Sequence, residues 1–398
     1  MSDVTAVSTT RELNRLRVVE MLLRHPSRSR SELGAALGLS RATITTVLSE
    51  LEDAGIVQQH ADGGVAQRAS RAIGRPPLQV SLTPSAAYAV GLDLGHAHVR
   101  AAVCDLRGRI VTERSARSGV GSDPFRAFDV ARRLTDEALL DAGVDRTRVL
   151  GAGVGLAVPV DPVTDAVHVD GILDGWAGVA PAAELQARLG MPVRVENDAN
   201  AGALAEHIFG GGRGVDDMVY LRLSAGIGLG LIMRGLPYRG VAGVAGEIGH
   251  VTVVDDGLIC RCGNRGCLET VASPLAVSAL LERSRGEPMP VERLFELAAS
   301  GDRGVQRAIV DAGRAVGRAL AATVNLLNPG LVIVGGDLAQ AGDLLLNPIR
   351  TAIQEAAVAP AVGTVRVIAS QLGDRAEVLG AAAIQLVRAP STLTGRLA

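Results

Sequence analysis

One imidazole and three thiols stand close together in the chain: His250, then Cys260, Cys262 and Cys267. They form a complete tetrahedral set for Zn2+, with Zn–S near ~2.3 Å and Zn–N near ~2.0–2.1 Å. A closed shell leaves no position for water, so the expected zinc is structural and pins a loop. Gly263 and Gly266 supply turns that let the chain wrap an ion, which favours a metal over a merely buried or reactive thiol group. Two carboxylates flank this loop: Glu247 in Gly246-Glu247-Ile248-Gly249-His250, and Glu269. Asn197-Asp198, at the carboxyl end of a predicted strand, adds an amide and a third carboxylate. Acceptors converging at strand ends suit a polyhydroxylated ligand, since each pair satisfies adjacent hydroxyls. Singly, each acid is as readily a solvated surface group, so the inference rests on the assembly.

The elements that must position these groups read as α/β. Short apolar runs alternate with helical stretches from residue 86 onward. Residues 88–94, 99–106 and 110–115 read as a three-strand meander, 125–142 as a helix and 149–156 as a buried strand. A helix over 182–189, a strand over 193–196 and a helix over 199–209 follow. The second half repeats the style, with strands at 218–223, 228–233 and 331–334 and a closing helix over 375–388. Such alternation predicts two lobes, and 398 residues exceed what one core of roughly 250–300 residues supports. Cys104 falls on a predicted strand and reads as a small core residue.

The first 82 residues read differently. Leu13, Leu16, Val19, Leu22 and Leu23 keep a helical period, and a second short helix is expected over 31–37. Gly38-Leu39-Ser40 forms a tight turn, with Ser40 placed to cap a third helix from Arg41. Helix, turn and helix make a helix-turn-helix; residues 55–59 and a returning strand before Thr83 complete a winged helix. Residues 61–77 are either a wing or a linker, and Arg75, in Gly74-Arg75-Pro76-Pro77, could enter a minor groove from a stiff tip. Ser40, Arg41, Thr43 and Thr46 are the other candidates for phosphate or base-edge contact. Residues 1–80 hold ten Arg against eight acids, for +2, a modest charge that argues for a dimer on a palindromic operator.

Composition excludes several classes. The chain has 40 basic and 42 acidic residues and is 47% hydrophobic, so it is not a disordered chain. All the basic residues are Arg, a bias of composition rather than of function. No early segment reads as a signal peptide, and residues 319–336 are broken by Asn325, Asn328, Pro329 and Gly330. A soluble cytoplasmic protein without membrane insertion is expected.

The residues resemble the ROK family of sugar kinases and sugar-responsive transcriptional repressors. The resemblance rests on Leu223-Ser224-Ala225-Gly226-Ile227-Gly228-Leu229-Gly230-Leu231, continuing to Gly240, Gly246, Gly249 and His250, and on the cysteine motif. It implies an actin-like, ribonuclease-H-like two-lobed ROK sugar-binding module behind the winged helix-turn-helix. The implied limits are 1–82 for the DNA-binding domain, 83–200 with the closing helix 375–390 for the first lobe, and 201–374 for the second. It implies that Asn197, Asp198, Glu247, His250 and Glu269 contact sugar hydroxyls, with His250 also on zinc. Asp198 matches the catalytic base of the kinases. The kinases' first phosphate loop is Asp-x-Gly-Gly-Thr-Lys or similar, where this chain has Asp93-Leu94-Gly95-His96-Ala97-His98. Their Gly-Thr-Gly is here Ser224-Ala225-Gly226. Asp93, Asp198 and Gly335-Gly336 survive. The expectation is a homodimeric or homotetrameric regulator binding double-stranded operator DNA and a monosaccharide effector. The contending reading is an ATP-dependent sugar kinase carrying an added DNA-binding domain.

Overall fold

The computed structural model describes residues 9–25, 27–60, 78–118, 121, 123–161, 164, 166–167, 176, 178–395 and 397. The expected wing or linker at residues 61–77, including Arg75, lies outside them.

The head opens with α1 (Thr10–Arg24), capped by a reciprocal Thr9–Glu12 box, and β1 (Arg28–Ser29) leads to α2 (Arg30–Leu37), capped in the same way by Ser29 and Glu32. Gly38 takes the left-handed conformation (φ 66°) that ends α2. Ser40 then caps α3 (Arg41–Asp53), its Oγ accepting the Thr43 N–H at 3.1 Å. Strands β2 (Val57–His60) and β3 (Gln79–Leu82) pair antiparallel, and β1 joins the far side of β3. Both the helix-turn-helix and the returning strand are as expected from the sequence.

The first lobe is built on β4 (Tyr88–Leu94), β5 (Val99–Asp105), β6 (Ile110–Ala116), α4 (Pro124–Ala142), β7 (Val149–Leu156), α5 (Pro181–Leu189), β8 (Val193–Asn197) and α6 (Asp198–Phe209). Helix α4 presents Ala127, Phe128, Ala131, Leu134, Ala138 and Leu139 to the sheet at helical spacing, between an Asp123 cap and left-handed Gly143. Cys104 is fully buried, as predicted.

The second lobe comprises β9 (Met218–Leu223), β10 (Ile227–Met233), β11 (Leu236–Pro237), α7 (Glu269–Ala272), α8 (Pro274–Arg285), α9 (Val291–Ala299), α10 (Arg303–Leu327), β12 (Leu331–Gly335), α11 (Asp343–Ala356), α12 (Ala359–Val362) and β13 (Arg366–Ala369). The chain closes with α13 (Ala376–Leu386) and α14 (Ala389–Gly395). The predicted closing helix over 375–388 is α13, and α14 follows it unpredicted. Pro390, which has no N–H to donate, sits in the first turn of α14, where that loss costs nothing.

Sheet orders are β6-β5-β4-β7-β8 and β11-β10-β9-β12-β13. Each is an antiparallel three-strand meander whose first strand is central, extended by two parallel strands. The two lobes thus share one topology. Helices α6 and α13 pack together between the sheets, and glycines make the approach close. A Cβ on Gly380 would lie 1.8 Å from the Ala201 carbonyl oxygen, and one on Gly153 1.8 Å from that of Ala381. A third apolar core fuses the head to this pair: Val18, Leu22, Leu48 and Leu51 belong to the same buried cluster as Val378, Leu386, Ala389 and Leu393. Arg15 adds a bond from Nη1 to the Leu397 carbonyl at 3.1 Å.

Candidate functional site

Asn197 ends β8 and Asp198 begins α6, so an amide and a carboxylate emerge together at a strand end. Asn197 caps the helix, its Oδ1 accepting the Asn200 N–H at 3.1 Å while its Nδ2 donates to the Val158 carbonyl at 3.3 Å. Asp198 is buried, and its Oδ1 accepts the Ala199 N–H at 2.7 Å. Its Oδ2 lies 3.1 Å from Arg222 Nη1 without the alignment of a hydrogen bond.

Arg222 is the residue that sequence reasoning missed. It sits on β9, buried, and its Nε donates to Glu377 Oε1 at 3.2 Å; the same oxygen accepts the Tyr220 hydroxyl at 2.9 Å. Two carboxylates, Asp198 and Glu377, thus share one guanidinium, whose charge Asp93 also feels. Burial, opposed by Arg222, pushes Asp198 above the usual carboxylate range and Glu377 up to about 7. Against the pull of burial, the acids hold Arg222 protonated well above its ordinary range. A readable signal existed: one Arg within the otherwise apolar strand Met218-Val219-Tyr220-Leu221-Arg222-Leu223, buried at every position.

The first glycine loop is closed by its own histidine. His98 Nε2 lies 2.7 Å from Asp93 Oδ2, and a Cβ on Gly95 would come within 2.5 Å of the His98 ring. Burial opposes ionisation of Asp93, but the His98 contact and Arg222 hold it below the usual range. Asp93 in turn raises His98. In the second loop the Ser224 hydroxyl accepts the Asp337 N–H at 3.2 Å, tying that loop to the segment after Gly335-Gly336.

On the opposite side, Glu247 precedes a short 3-10 turn, Ile248–His250, and Glu269 is the first residue of α7. Burial, then the charges of Asp198 and Glu269, push Glu247 up to about 7, as expected for carboxylates sharing one cleft. Glu269 is held from both sides, with Oε1 accepting Arg261 Nε at 2.9 Å and Nη2 at 2.7 Å, and Oε2 accepting the Ile227 N–H at 3.1 Å. Arg261 stands between Cys260 and Cys262, so the cysteine loop itself positions this carboxylate. Trp176 is buried, edge-on to Phe128 at 5.4 Å.

The ligand atoms of His250, Cys260, Cys262 and Cys267 all lie within 4.8 Å of one another. Cys262 and Cys267 sulfurs are 3.7 Å apart, and Cys260 Sγ is 3.6 Å from His250 Nδ1. A tetrahedron with the bond lengths of zinc has edges of about 3.8 Å for S–S and about 3.6 Å for S–N. The cluster can hold a metal, with His250 ligating through Nδ1. Its Nε2 is turned to Glu247 Oε2, 3.8 Å away.

In the head, Ser40 and Thr43 spend their hydroxyls on each other, 2.9 Å apart, and on the cap of α3. Arg41 and Thr46 are exposed on the same helix start, and Thr45, which sequence reasoning passed over, is exposed beside them.

A helix-turn-helix head on a body of two ribonuclease-H-like lobes, with acceptors at the strand ends between them, defines the class: a DNA-binding head fused to an actin-like sugar-kinase scaffold. The chain belongs to the ROK family, whose profile matches residues 89–388; the MarR family profile matches residues 10–68. It is 28% identical over 387 residues to the xylose repressor of Caldicellulosiruptor bescii, covering 94% of this chain and 95% of that protein. It is 34% identical over 312 residues to the glucokinase of Thermotoga maritima, covering 74% of this chain and 96% of that one. The crystal structure of a ROK family transcriptional regulator, a homologue of the E. coli MLC protein, superposes with a TM-score of 0.78 at 28% identity, covering 97% and 98% of the two chains.

Proposed function

We propose that this chain is a sugar-responsive transcriptional repressor: the head binds operator DNA, and a monosaccharide in the cleft changes that binding. The observation that carries this reading is the buried core running unbroken from α1 and α3 into α13 and α14. Asp198 begins α6, and α6 packs along α13, so a sugar that moves Asp198 acts on the helix pair that supports the head. A ligand shifts the equilibrium only by its differential affinity for the two arrangements.

Asn197, Asp198, Glu247, His250 and Glu269 are the proposed sugar contacts, and Ser40, Arg41, Thr43, Thr46 and Arg75 the proposed DNA contacts. The domain limits we adopt are 1–82, 83–200 with 375–390, and 201–374. Zn2+ is the proposed metal; bound, it fixes the loop that carries Arg261 and hence Glu269. Among the described residues no helix is long and apolar enough to cross a membrane, and we place the protein in the cytoplasm as a homodimer or homotetramer.

Phosphoryl transfer is disfavoured by the pairing at its own groups. His98 stands 2.7 Å from Asp93 and packs against Gly95, and Ser224 is tied to the Asp337 amide, so the groups that would approach a nucleotide are already partnered. Fluorescence anisotropy of operator DNA with a monosaccharide panel, run beside a coupled phosphorylation assay, tests the reading. A sugar-dependent change in operator affinity without turnover is expected. Turnover at roughly 1–100 per second would instead make it a kinase. Cys262→Ser should lose stoichiometric zinc and about tenfold or more in sugar affinity; metal content unchanged by elemental analysis would remove Cys262 from the set.

A further inference from the structure

A cavity of about 560 Å3 lies on the seam between head and body. Its walls come from the end of α1, from β8, α6 and β11, and from the junction of α13 and α14. That volume is typical of a metabolite site, roughly 300–1,000 Å3. Leu204, Ile208 and Ile384 make the body side apolar, and Leu23 faces them from the head.

Its charged groups divide unevenly between paired and unpaired. Glu196 is taken by Arg239, with Nε at 2.6 Å from Oε2, and Glu20 and Asp216 lie exposed at the lining. Arg24, Arg194 and Arg388 come from α1, β8 and the α13–α14 junction, and none has an ion pair or a side-chain hydrogen bond among the described residues. Arg194 is half-buried on β8, where an unpartnered guanidinium is costly. His207 lines the same space with a buried Nδ1 that lacks a partner among the described residues.

We propose that this cavity is a second ligand site, for an organic anion with an apolar body, whose charge is taken by Arg24 of the head together with Arg194 and Arg388 of the body. Carboxylates and phosphate esters share the chemistry, since guanidinium forks both. A ligand held by residues from both sides ties the head to the body, so occupancy sets how freely the head moves. Binding itself stands without the DNA-binding reading above; only the consequence for operator affinity rests on it.

The test is a fluorescence titration of the full-length protein with anilinonaphthalenesulfonate, an aryl anion. The expected result is saturable binding of one probe per chain, weakened about tenfold by Arg24→Ala and by Arg194→Ala, each the loss of one charge-assisted contact. Ile208→Trp, which fills the space, should abolish it, while Arg132→Ala on the remote surface of α4 should leave it unchanged. Displacement by phenyl phosphate or by hexanoate identifies which anion the site prefers, and displacement by either supports it. Arg24 is exposed at the last turn of α1, so its variant tests the site without endangering the fold. Affinity unchanged in the Arg24 and Ile208 variants, or equal affinity for the uncharged phenylnaphthylamine, would overturn the proposal. Operator affinity that ignores a bound probe would overturn only the coupling.

Discussion

The two sides of the cleft use their charged groups differently. On the side of Glu247, His250 and Glu269, acceptors are positioned by a metal-capable loop, and the Glu247 carboxylate has no hydrogen bond among the described residues. On the side of Asp93 and Ser224, each group is taken internally: Asp93 by His98, Asp198 and Glu377 by Arg222, Ser224 by the Asp337 amide. The difference teaches that acids of one scaffold can be kept under unlike constraints: on this side they are engaged by internal cations and donors.

The sharpest break of that contrast is Arg222→Met. It strands the buried Asp198 and Glu377 without their cation and should cost about 3–5 kcal/mol, read as a lower midpoint in denaturant unfolding. A loss below about 1 kcal/mol would mean that the acids were never held by Arg222.

Next in size is a dependence on pH. Burial raises Glu377 from an unfolded value of 4.5 to about 7 in the folded chain. The native state therefore binds a proton that the unfolded state releases, and this stabilisation is full below about 4.5 and lost as pH rises through about 7. In Glu377→Gln that loss is absent. Thermal melts from pH 5 to 8 should show wild type losing up to about 3 kcal/mol relative to the variant. Parallel curves would place the proton on another acid.

On the sugar side, Asp198→Asn should weaken sugar binding by about 10–100-fold, the loss of a charged acceptor, while operator binding without sugar is retained. Calorimetry with the responding sugar measures it, and an unchanged affinity would move the pocket away from α6. The smallest effect sharpens the head: Ser40→Ala removes the cap of α3 and should cost about 1 kcal/mol of stability, with operator affinity falling in step if this helix enters the groove.

Much of this was legible in the residues. Strand alternation gave nearly every element of the first lobe, because both flanks carry strong turn formers. His250 and the three cysteines are near in sequence, so their meeting in space follows from loop geometry alone. The ion pairs were not legible in the same way. Arg222 reaches Asp198 and Glu377 across separations of 24 and 155 residues, and only folded topology brings β9, α6 and α13 together. Helix α14 lies beyond the closing helix read from the sequence and was not anticipated.

The glycine contacts between α6, α13 and the sheets have a mechanical consequence. Backbone rests on backbone there, with no long side chains to swivel and absorb a displacement. Helix α13 has 11 residues, about 16 Å of rod at 1.5 Å per residue. A tilt imposed near the sugar would arrive at the head undiminished, as motion passes along a shaft without play.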